Sequence, residues 1–279
     1  MTLDDVRWLL ALTAPRVHAL NAPYYRKLEI DDALHARTQA LFAGALRDGA
    51  YRTRWELAAS LAEGGIAAAG QRLAYIVLRA ELDGLICSGP ARGMRQTYAL
   101  LAERAPHARL LPREEALAEL ARRFFAGHGP ATLKDLATWS GLTVADAERR
   151  LAMAGAGIEH AVVEGRIYLF AAGLPPPAPT AGVAYLIPEF DECLLTYKSL
   201  TFPDLTWTRD PATWPDAFSR PIVVDGQRAG TWRRTVGKDR VTLEAALFAT
   251  LDAGQARALE AAAARYAAFM ERPVDLVFV

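Results

Sequence analysis

The chain of 279 residues has no net formal charge, because 32 acidic residues balance 32 basic ones, and 52% of its residues are hydrophobic. This composition allows two or three small domains with ordinary cores and excludes a disordered chain. It also counts against strong non-specific binding to nucleic acid, since proteins with that property are usually basic overall.

Several other classes of protein are excluded by the sequence. No apolar run reaches the roughly 18–20 residues that span a bilayer, and no signal-peptide pattern follows Met1. Cys87 and Cys193 stand in no metal or redox spacing, and the five histidines are scattered along the chain. Phosphate-loop and serine-hydrolase motifs are missing. We therefore predict a cytoplasmic protein that uses no metal, nucleotide or other cofactor.

Residues 1–30 carry apolar side chains for which the sequence offers no packing partner. A short helix over Val6–Leu12 is expected to end at Ala14-Pro15, because proline interrupts a helix. The following stretch, Tyr24–Ile30, resembles a connector. We interpret residues 1–30 as the remnant of a preceding domain together with this connector.

Residues 31–104 have the pattern of a helix-turn-helix followed by a β-hairpin. Thr53 and Glu56 are spaced for a capping box at the start of the second helix. The hairpin loop is basic, since it carries Arg92 and Arg95 and no acidic residue. This order is that of a winged helix, whose third helix can enter a DNA major groove. The predicted helices and strands are Asp32–Arg47, Arg54–Glu63, Ile66–Leu82, Leu85–Ser88 and Gln96–Leu101.

Residues 105–173 repeat the same order of elements. Thr132 and Thr143 are placed to cap the second and third helices. Glu164-Gly165 lies between two apolar runs, and an acidic residue followed by glycine is a short hairpin signal. We therefore predict a second winged-helix unit. Its predicted elements are Glu114–Ala126, Leu133–Ser140, Val144–Met153 and the hairpin Val162–Phe170.

A proline-rich linker, residues 174–180, precedes a β-rich module at residues 181–279. Asp225-Gly226 predicts a tight hairpin, and Leu200–Ser219 is a long aromatic loop of the kind that is often functional. The chain is thus predicted to be an α+β protein with tandem winged-helix units followed by a small β-barrel-like module. The predicted strands are Val183–Ile187, Ile222–Val224, Arg228–Thr235, Val241–Ala249 and Val274–Val279, and Asp252 caps a helix at Gln255–Met270.

Ten side chains are candidates for contact with DNA. Arginine and glutamine are the residue types that read guanine and adenine edges, and basic loop residues suit phosphates or the minor groove. The alternative for every one of them is a solvated surface. The second recognition helix is the poorer candidate, because it also carries Asp146 and Glu148. The candidates are Gln71, Arg72, Tyr75 and Arg79 on the first recognition helix, Arg149 and Arg150 on the second, Arg92 and Arg95 in the first wing, and Arg233 and Arg234 in the barrel hairpin.

The β-rich module holds further candidates, each with a structural alternative. Glu189 and Asp191 alternate on a predicted strand end, so they share a face, and paired carboxylates can bind a metal or perform acid–base chemistry. Tyr197 and Lys198 belong to the same polar cluster. Capping or pairing with a neighbouring cation is the alternative role of these residues. Trp232 is expected in the core, with stacking on a base as its alternative.

Five motifs of the chain resemble those of a known family. They are similar, in the same order, to motifs of the bacterial winged-helix family of interstrand-crosslink DNA glycosylases, which also includes uncharacterised DNA-binding proteins. The resemblance implies tandem winged helices and a small β-barrel arranged around duplex DNA, with enzymes that release N7-alkylated purines without a metal. The motifs are Gly93–Tyr98 (GMRQTY), Gly129–Leu133 (GPATL), Leu186–Asp191 (LIPEFD), Leu195–Lys198 (LTYK) and Asp225–Arg234 (DGQRAGTWRR).

The catalytic signature of that family has no counterpart in the chain. It is a Gln-hydrophobic-Gln or Gln-hydrophobic-Asp segment in an N-terminal winged helix, and Gln39-Ala-Leu41 and Gln96-Thr-Tyr98 both lack its second polar residue. A hydrolytic glycosylase needs such a group to position water, so the catalytic residues are unassigned. Two explanations are open: either the natural protein begins upstream of Met1, or a paralogue has lost its catalytic domain. The unpartnered helix over Val6–Leu12 favours the first.

The sequence thus predicts a monomer that binds double-stranded DNA and is related to glycosylases that excise bulky N7-alkylated purines and unhook crosslinks. Whether the chain is an enzyme stays open. One alternative is a winged-helix scaffold for a protein or small-molecule partner, which the neutral net charge supports. The other is a transcription regulator, which predicts a dimer and a palindromic site. Local charge favours DNA, because five basic residues and one acid lie within Arg228–Arg240.

Overall fold

The computed structural model describes residues 2–151, 157–173, 182–192, 197 and 220–279. The chain divides into two compact units, Met1–Ala172 and Gly173–Val279, and combines helices with β-sheets. None of the helices in the described ranges is long and apolar enough to cross a membrane. The predicted linker at residues 174–180 and the predicted loop Leu200–Ser219 lie outside the described residues.

The elements within residues 32–104, which we call the first group, have the predicted order. Its three-stranded antiparallel sheet has the strand order β1-β3-β2. The capping box is confirmed, since the Thr53 hydroxyl accepts from the Glu56 N–H and the Glu56 carboxylate accepts from the Thr53 N–H. The elements are α2 (Asp32–Leu46), β1 (Arg52–Thr53), α3 (Arg54–Glu63), α4 (Gly70–Leu82), β2 (Ile86–Ser88), β3 (Thr97–Leu100) and α5 (Leu101–Arg104).

One apolar core holds this group together. The helices contribute apolar side chains at helical spacing, and the sheet contributes Ile86. The apolar face of each amphipathic helix therefore points into the core. The α4 helix begins at Gly70 and not at Ile66, because Ile66 itself is buried in this core ahead of the helix. The largest fully buried members are Phe42, Leu46, Leu57, Leu61 and Ile76.

The second group also follows the predicted order. Thr132 and Asp135 form a capping box at the start of α7, and Gly141 ends that helix in the left-handed conformation with φ 70°. The hairpin turns at Glu164-Gly165, where both residues have positive φ, as a tight two-residue turn requires. The elements are α6 (Arg113–His128), α7 (Leu133–Ser140), α8 (Val144–Leu151), β4 (Ile158–Val163) and β5 (Arg166–Ala171).

The N-terminal helix departs from the prediction. Helix α1 runs over Val6–Lys27 and contains Pro15 and Pro23, so the predicted end at Ala14-Pro15 and the connector beginning at Tyr24 are both wrong. A proline in a helix interior costs about 3 kcal/mol. Burial at both ends of α1 offsets that cost, because Trp8 and Leu12 lie in one core and Tyr25 lies in another.

The helix over Val6–Leu12 is also not unpartnered, as the sequence suggested. Trp8 and Leu12 pack against Ala116, Leu117 and Leu120 of α6. The observation that favoured a missing first domain is therefore wrong.

Asp5 fixes the start of α1 to the second group. Its side chain is only 7% exposed, and its two oxygens lie 2.7 Å from Arg109 Nη2 and 2.6 Å from Arg123 Nη1. The indole N–H of Trp8 and the hydroxyl of Thr2 also donate to this carboxylate. Hydrogen bonding, first of all from Arg123, holds the pKa of Asp5 well below its usual range.

The second unit contains a mixed five-stranded sheet of order β10-β9-β8-β7-β6, which curls into a half-barrel. Only β10 and β9 run parallel. The predicted hairpin at Asp225-Gly226 and the predicted cap at Asp252 are confirmed. The elements are β6 (Ala184–Leu186), β7 (Arg220–Val224), β8 (Gln227–Val236), β9 (Val241–Leu247), α9 (Ala253–Met270) and β10 (Val274–Phe278).

Helix α9 covers one face of this sheet and closes its core. Leu259 of α9 and Val241 and Leu243 of β9 are fully buried. Trp232 belongs to the same core and is 5% exposed, and its indole N–H donates to the carbonyl of Ile187 at 2.8 Å. The core position predicted for Trp232 is confirmed.

We expect Asp5→Asn to destabilise the protein by about 2 kcal/mol at neutral pH, because an amide cannot replace the charge between two arginines. A carboxylate with a lowered pKa contributes stability above its ordinary pKa of about 4, and that contribution fades as the pH falls below it. The difference between wild type and variant should therefore shrink in acid. Urea unfolding from about pH 7 to about pH 3 measures this.

The matched control is Asp4→Asn, which changes an exposed neighbouring carboxylate and should leave the unfolding midpoint unchanged. Equal effects of the two variants would contradict a specific role for Asp5.

Candidate nucleic-acid interface

The predicted recognition helix α4 is largely engaged with its own chain. Gln71 is exposed, whereas the guanidinium of Arg72 donates to the carbonyls of Ala67 and Glu29 at 3.2 and 3.4 Å. The ring of Tyr75 stacks on Tyr24 of α1, with ring centroids 5.0 Å apart. The C-terminal end of α1 therefore lies over the outer face of α4.

Arg79 is held in the same way. Its guanidinium donates to Asp32 at 2.8 Å and to the carbonyl of Ile30 at 3.4 Å, and it lies 5.2 Å from the centre of the Tyr25 ring. The pKa of Asp32 is lowered by this arginine. Contact of Arg79 with a base edge would require these interactions to break.

Two of the histidines that look scattered in the sequence meet at Asp83. His18 Nε2 and His35 Nε2 lie 3.0 and 2.6 Å from its two carboxylate oxygens. The other nitrogen of His18, Nδ1, lies 3.0 Å from the Tyr25 hydroxyl, so both ring nitrogens have a partner within the chain. Burial is the main cause that lowers the pKa of His35. Among the described residues no group of three or more His, Cys, Asp or Glu side chains is arranged to hold a metal ion.

The loop between β2 and β3, which we call the wing (residues 89–96), is fixed against the start of α3. The guanidinium of Arg92 donates to the Glu56 carboxylate at 2.8 Å and to the Tyr51 carbonyl at 2.9 Å. Within the wing, Arg92 and Arg95 exchange backbone hydrogen bonds of 2.9 and 3.2 Å. The wing is therefore an ordered part of the surface.

Glu56 performs two tasks at this point. One carboxylate oxygen accepts from the Thr53 N–H, which completes the cap of α3, and the other accepts from Arg92 of the wing. These two interactions, the backbone N–H first, lower the pKa of Glu56 to about 2. Glu56 is thus charged at any physiological pH, and its charge is paired with Arg92.

The surface beside the wing carries residues that the sequence analysis did not single out. Trp55, in the first turn of α3, is 76% exposed, and Met94 at the tip of the wing is fully exposed. Arg52 and Arg54 precede the tryptophan in the chain, and Arg95 is exposed on the wing. The alternation of basic and aromatic residues in Tyr51–Trp55 is the sequence signal that would have found them.

The second group is a weaker candidate for contact with a nucleic acid, because its predicted recognition helix carries an acidic residue in its first turn. At the start of α8, Asp146 lies 3.1 Å from Arg113 and accepts from the Thr143 hydroxyl at 2.8 Å, and both interactions lower its pKa. Arg149 and Arg150 belong to α8, but their side chains lie outside the described residues.

The candidates of the second unit lie on exposed positions with partners of their own. Arg233 is 3.5 Å from Glu244 and 75% exposed, and Arg234 donates to the Tyr266 hydroxyl. Glu189 and Asp191 lie beyond β6, in and after a turn around Phe190, and not on a strand end as predicted. Their sequence alternation therefore does not place them on one strand face.

The predicted polar cluster lies partly outside the described residues. Glu189 pairs with Arg220 at 3.1 Å on the surface. Tyr197 is half-buried, and Lys198 lies outside the described residues. A catalytic role for this cluster stays a prediction.

A family profile and one solved structure each match most of the chain. The sequence profile of the family described as "DNA glycosylase AlkZ-like" matches residues 1–269. The structure of the DNA glycosylase AlkZ of Streptomyces sahachiroi has a similar fold, with a TM-score of 0.70 over 96% of this chain and 76% of that chain, at 23% sequence identity. A comparison with curated protein sequences gives no match. Since the profile covers almost the whole chain, the protein belongs to the AlkZ-like DNA glycosylase family.

Proposed function

We propose that this protein binds double-stranded DNA. We further propose that the DNA it binds carries bulky N7-alkylated purines, the lesions expected for its family. The ordered basic wing carries this proposal. Residues 84–102 contain no acidic residue. Arg95 is exposed in this stretch, while Arg92 is paired with Glu56 and holds the loop in place. A basic loop held rigidly on its domain is suited to phosphate contact, because little ordering entropy is lost on binding.

We further propose that the two helical groups are tandem winged-helix units. In both, the residue before a capping threonine pairs with the hairpin: Arg52 pairs with Tyr98, and Ala131 pairs with Leu169. Each capping threonine then starts the second helix of its group through a capping box. An internal repeat of this detail supports a common winged-helix architecture.

In this proposal the first compact unit, Met1–Ala172, contacts DNA through its wing and the start of α3. The contacts of Arg72, Tyr75 and Arg79 support a structural role for the face of α4 that α1 covers. Gln71 remains a candidate because it is exposed. Arg233 and Arg234 are kept as candidates for phosphate contact by the second unit.

No residue of the chain is assigned to base excision, because the glutamine signature of the family has no counterpart. The zero net charge favours a second candidate function, a scaffold that binds a protein partner. The two functions differ in their response to salt, since counterions are released only when phosphates are neutralised.

We expect the affinity for duplex DNA to fall roughly 40-fold between about 50 and 200 mM salt, as three neutralised phosphates would require. Fluorescence anisotropy with an intact duplex and with a duplex carrying an N7-alkylated purine measures this. Tighter binding to the alkylated duplex would support the repair function. An absence of binding at low salt would refute the proposal and favour the scaffold.

The variants Arg95→Ala and Arg79→Ala test whether the wing or helix α4 contacts DNA. We expect Arg95→Ala to reduce the salt slope by about 0.9, the value for one phosphate, and to leave the melting temperature unchanged. Arg79→Ala should leave the salt slope unchanged and lower the melting temperature by about 2–4 °C, because it removes the contacts of α4 with Tyr25, Ile30 and Asp32. The reverse pattern would show that α4, and not the wing, contacts DNA.

A further inference from the structure

We propose that Trp55 is a base-stacking residue that gives this protein a preference for DNA whose base stack is interrupted. This inference rests on the proposed DNA binding and adds the kind of DNA that is preferred. It concerns the first unit only.

The exposure of Trp55 is the starting observation. A tryptophan side chain normally buries most of its large apolar surface, yet Trp55 is 76% exposed, while Leu57, two residues later on the same helix, is fully buried. Trp55 therefore lies on the side of α3 that faces away from the core. Met94 is likewise fully exposed.

The surroundings of Trp55 are rigid. It is the second residue of α3, directly after the capping box of Thr53 and Glu56. Glu56, its neighbour in the chain, holds Arg92 at 2.8 Å and so brings the wing, with Met94 two residues further on, to the same turn of the helix. A side chain on such a frame is presented to a ligand without first ordering the backbone.

The charge around Trp55 points to a nucleic acid as the occupant of this surface. Arg54 precedes it in the chain, is exposed and donates to the Gly70 carbonyl at 3.3 Å, and Arg95 is exposed on the adjacent wing. Glu56, the one acidic residue between Gly49 and Ala62 in the sequence, is paired with Arg92. An exposed aromatic ring among arginines is the arrangement that binds bases by stacking while phosphates are neutralised beside it.

Stacking favours interrupted DNA over intact DNA for a simple reason. In an intact duplex both faces of each base pair are already covered by neighbours, so a tryptophan can gain little there. At a bulge or an abasic site one base face is open, and covering it with an indole restores the lost stacking. The preference is therefore expected for duplexes with a broken stack.

The test compares the full chain and three variants on an intact duplex and on the same duplex with a single-nucleotide bulge. We expect wild type to bind the bulged duplex about tenfold more tightly, and Trp55→Ala to remove this preference while leaving the affinity for the intact duplex within about twofold. Trp55→Phe should keep most of the preference, since phenylalanine also stacks. The salt slopes of Trp55→Ala and wild type should agree, because no charge is lost.

Arg95→Ala is the matched control, and it should weaken binding to both duplexes equally and lower the salt slope. Trp55 is exposed, so its replacement should leave the thermal unfolding midpoint unchanged, which the same samples report. If wild type binds neither duplex, the proposed DNA binding fails and this inference with it. If wild type binds DNA but Trp55→Ala binds both duplexes as wild type does, DNA binding stands and the inference is overturned. Loss of equal size on both duplexes would likewise overturn it.

Discussion

The packing of helix α1 on both helical groups is the constraint on which the rest of the first unit depends. At one end Asp5 is held by Arg109 and Arg123, and at the other Tyr24 stacks on Tyr75. A helix of 22 residues is roughly 33 Å long and stiff. Fixing one end therefore restricts the position of the other, so the two groups behave as one compact unit.

This constraint decides which surface of the first unit is open to a ligand. Where α1 ends, it lies over α4, the helix that reads bases in many helix-turn-helix proteins. Tyr75 stacks on Tyr24 of α1, and Arg79 pairs with Asp32. Asp83 contacts two histidines. The wing lies outside this contact and is fixed instead by Arg92 and Glu56. In the first unit, α1 therefore covers part of α4, while the wing is exposed and ordered.

Local signals in the sequence were sufficient to predict most elements. The caps at Thr53, Thr132 and Asp252 and the turn at Asp225-Gly226 depend on residues within three or four positions of each other, and all are confirmed. Helix α1 was mispredicted because its stability comes from residues about 50 to 110 positions away, which outweigh the local effect of Pro15.

The functional surface was harder to predict than the elements for the same reason. The sequence shows that Arg72 and Arg79 lie on α4, but not that α1 and the segment after it occupy their guanidinium groups. It shows a tryptophan at position 55 without showing that its ring is exposed. Which residues face solvent is a property of tertiary packing, and periodicity alone cannot supply it.

The net charge of the whole chain does not describe the charge at the wing, because the arginines of the first unit have two different roles. Arg109 and Arg123 both pair with the buried Asp5, and Arg79 pairs with Asp32, so these three arginines are engaged in ion pairs inside the first unit. Arg54 and Arg95 are exposed and form no ion pair that the structure shows; Arg54 donates to the Gly70 carbonyl, and Glu56, two residues after it, is paired with Arg92. A phosphate backbone responds to the field within about 10 Å and not to the sum over the whole chain. A protein with zero net charge can therefore present a basic surface where its wing lies, and salt dependence, not net charge, is the property that reports it.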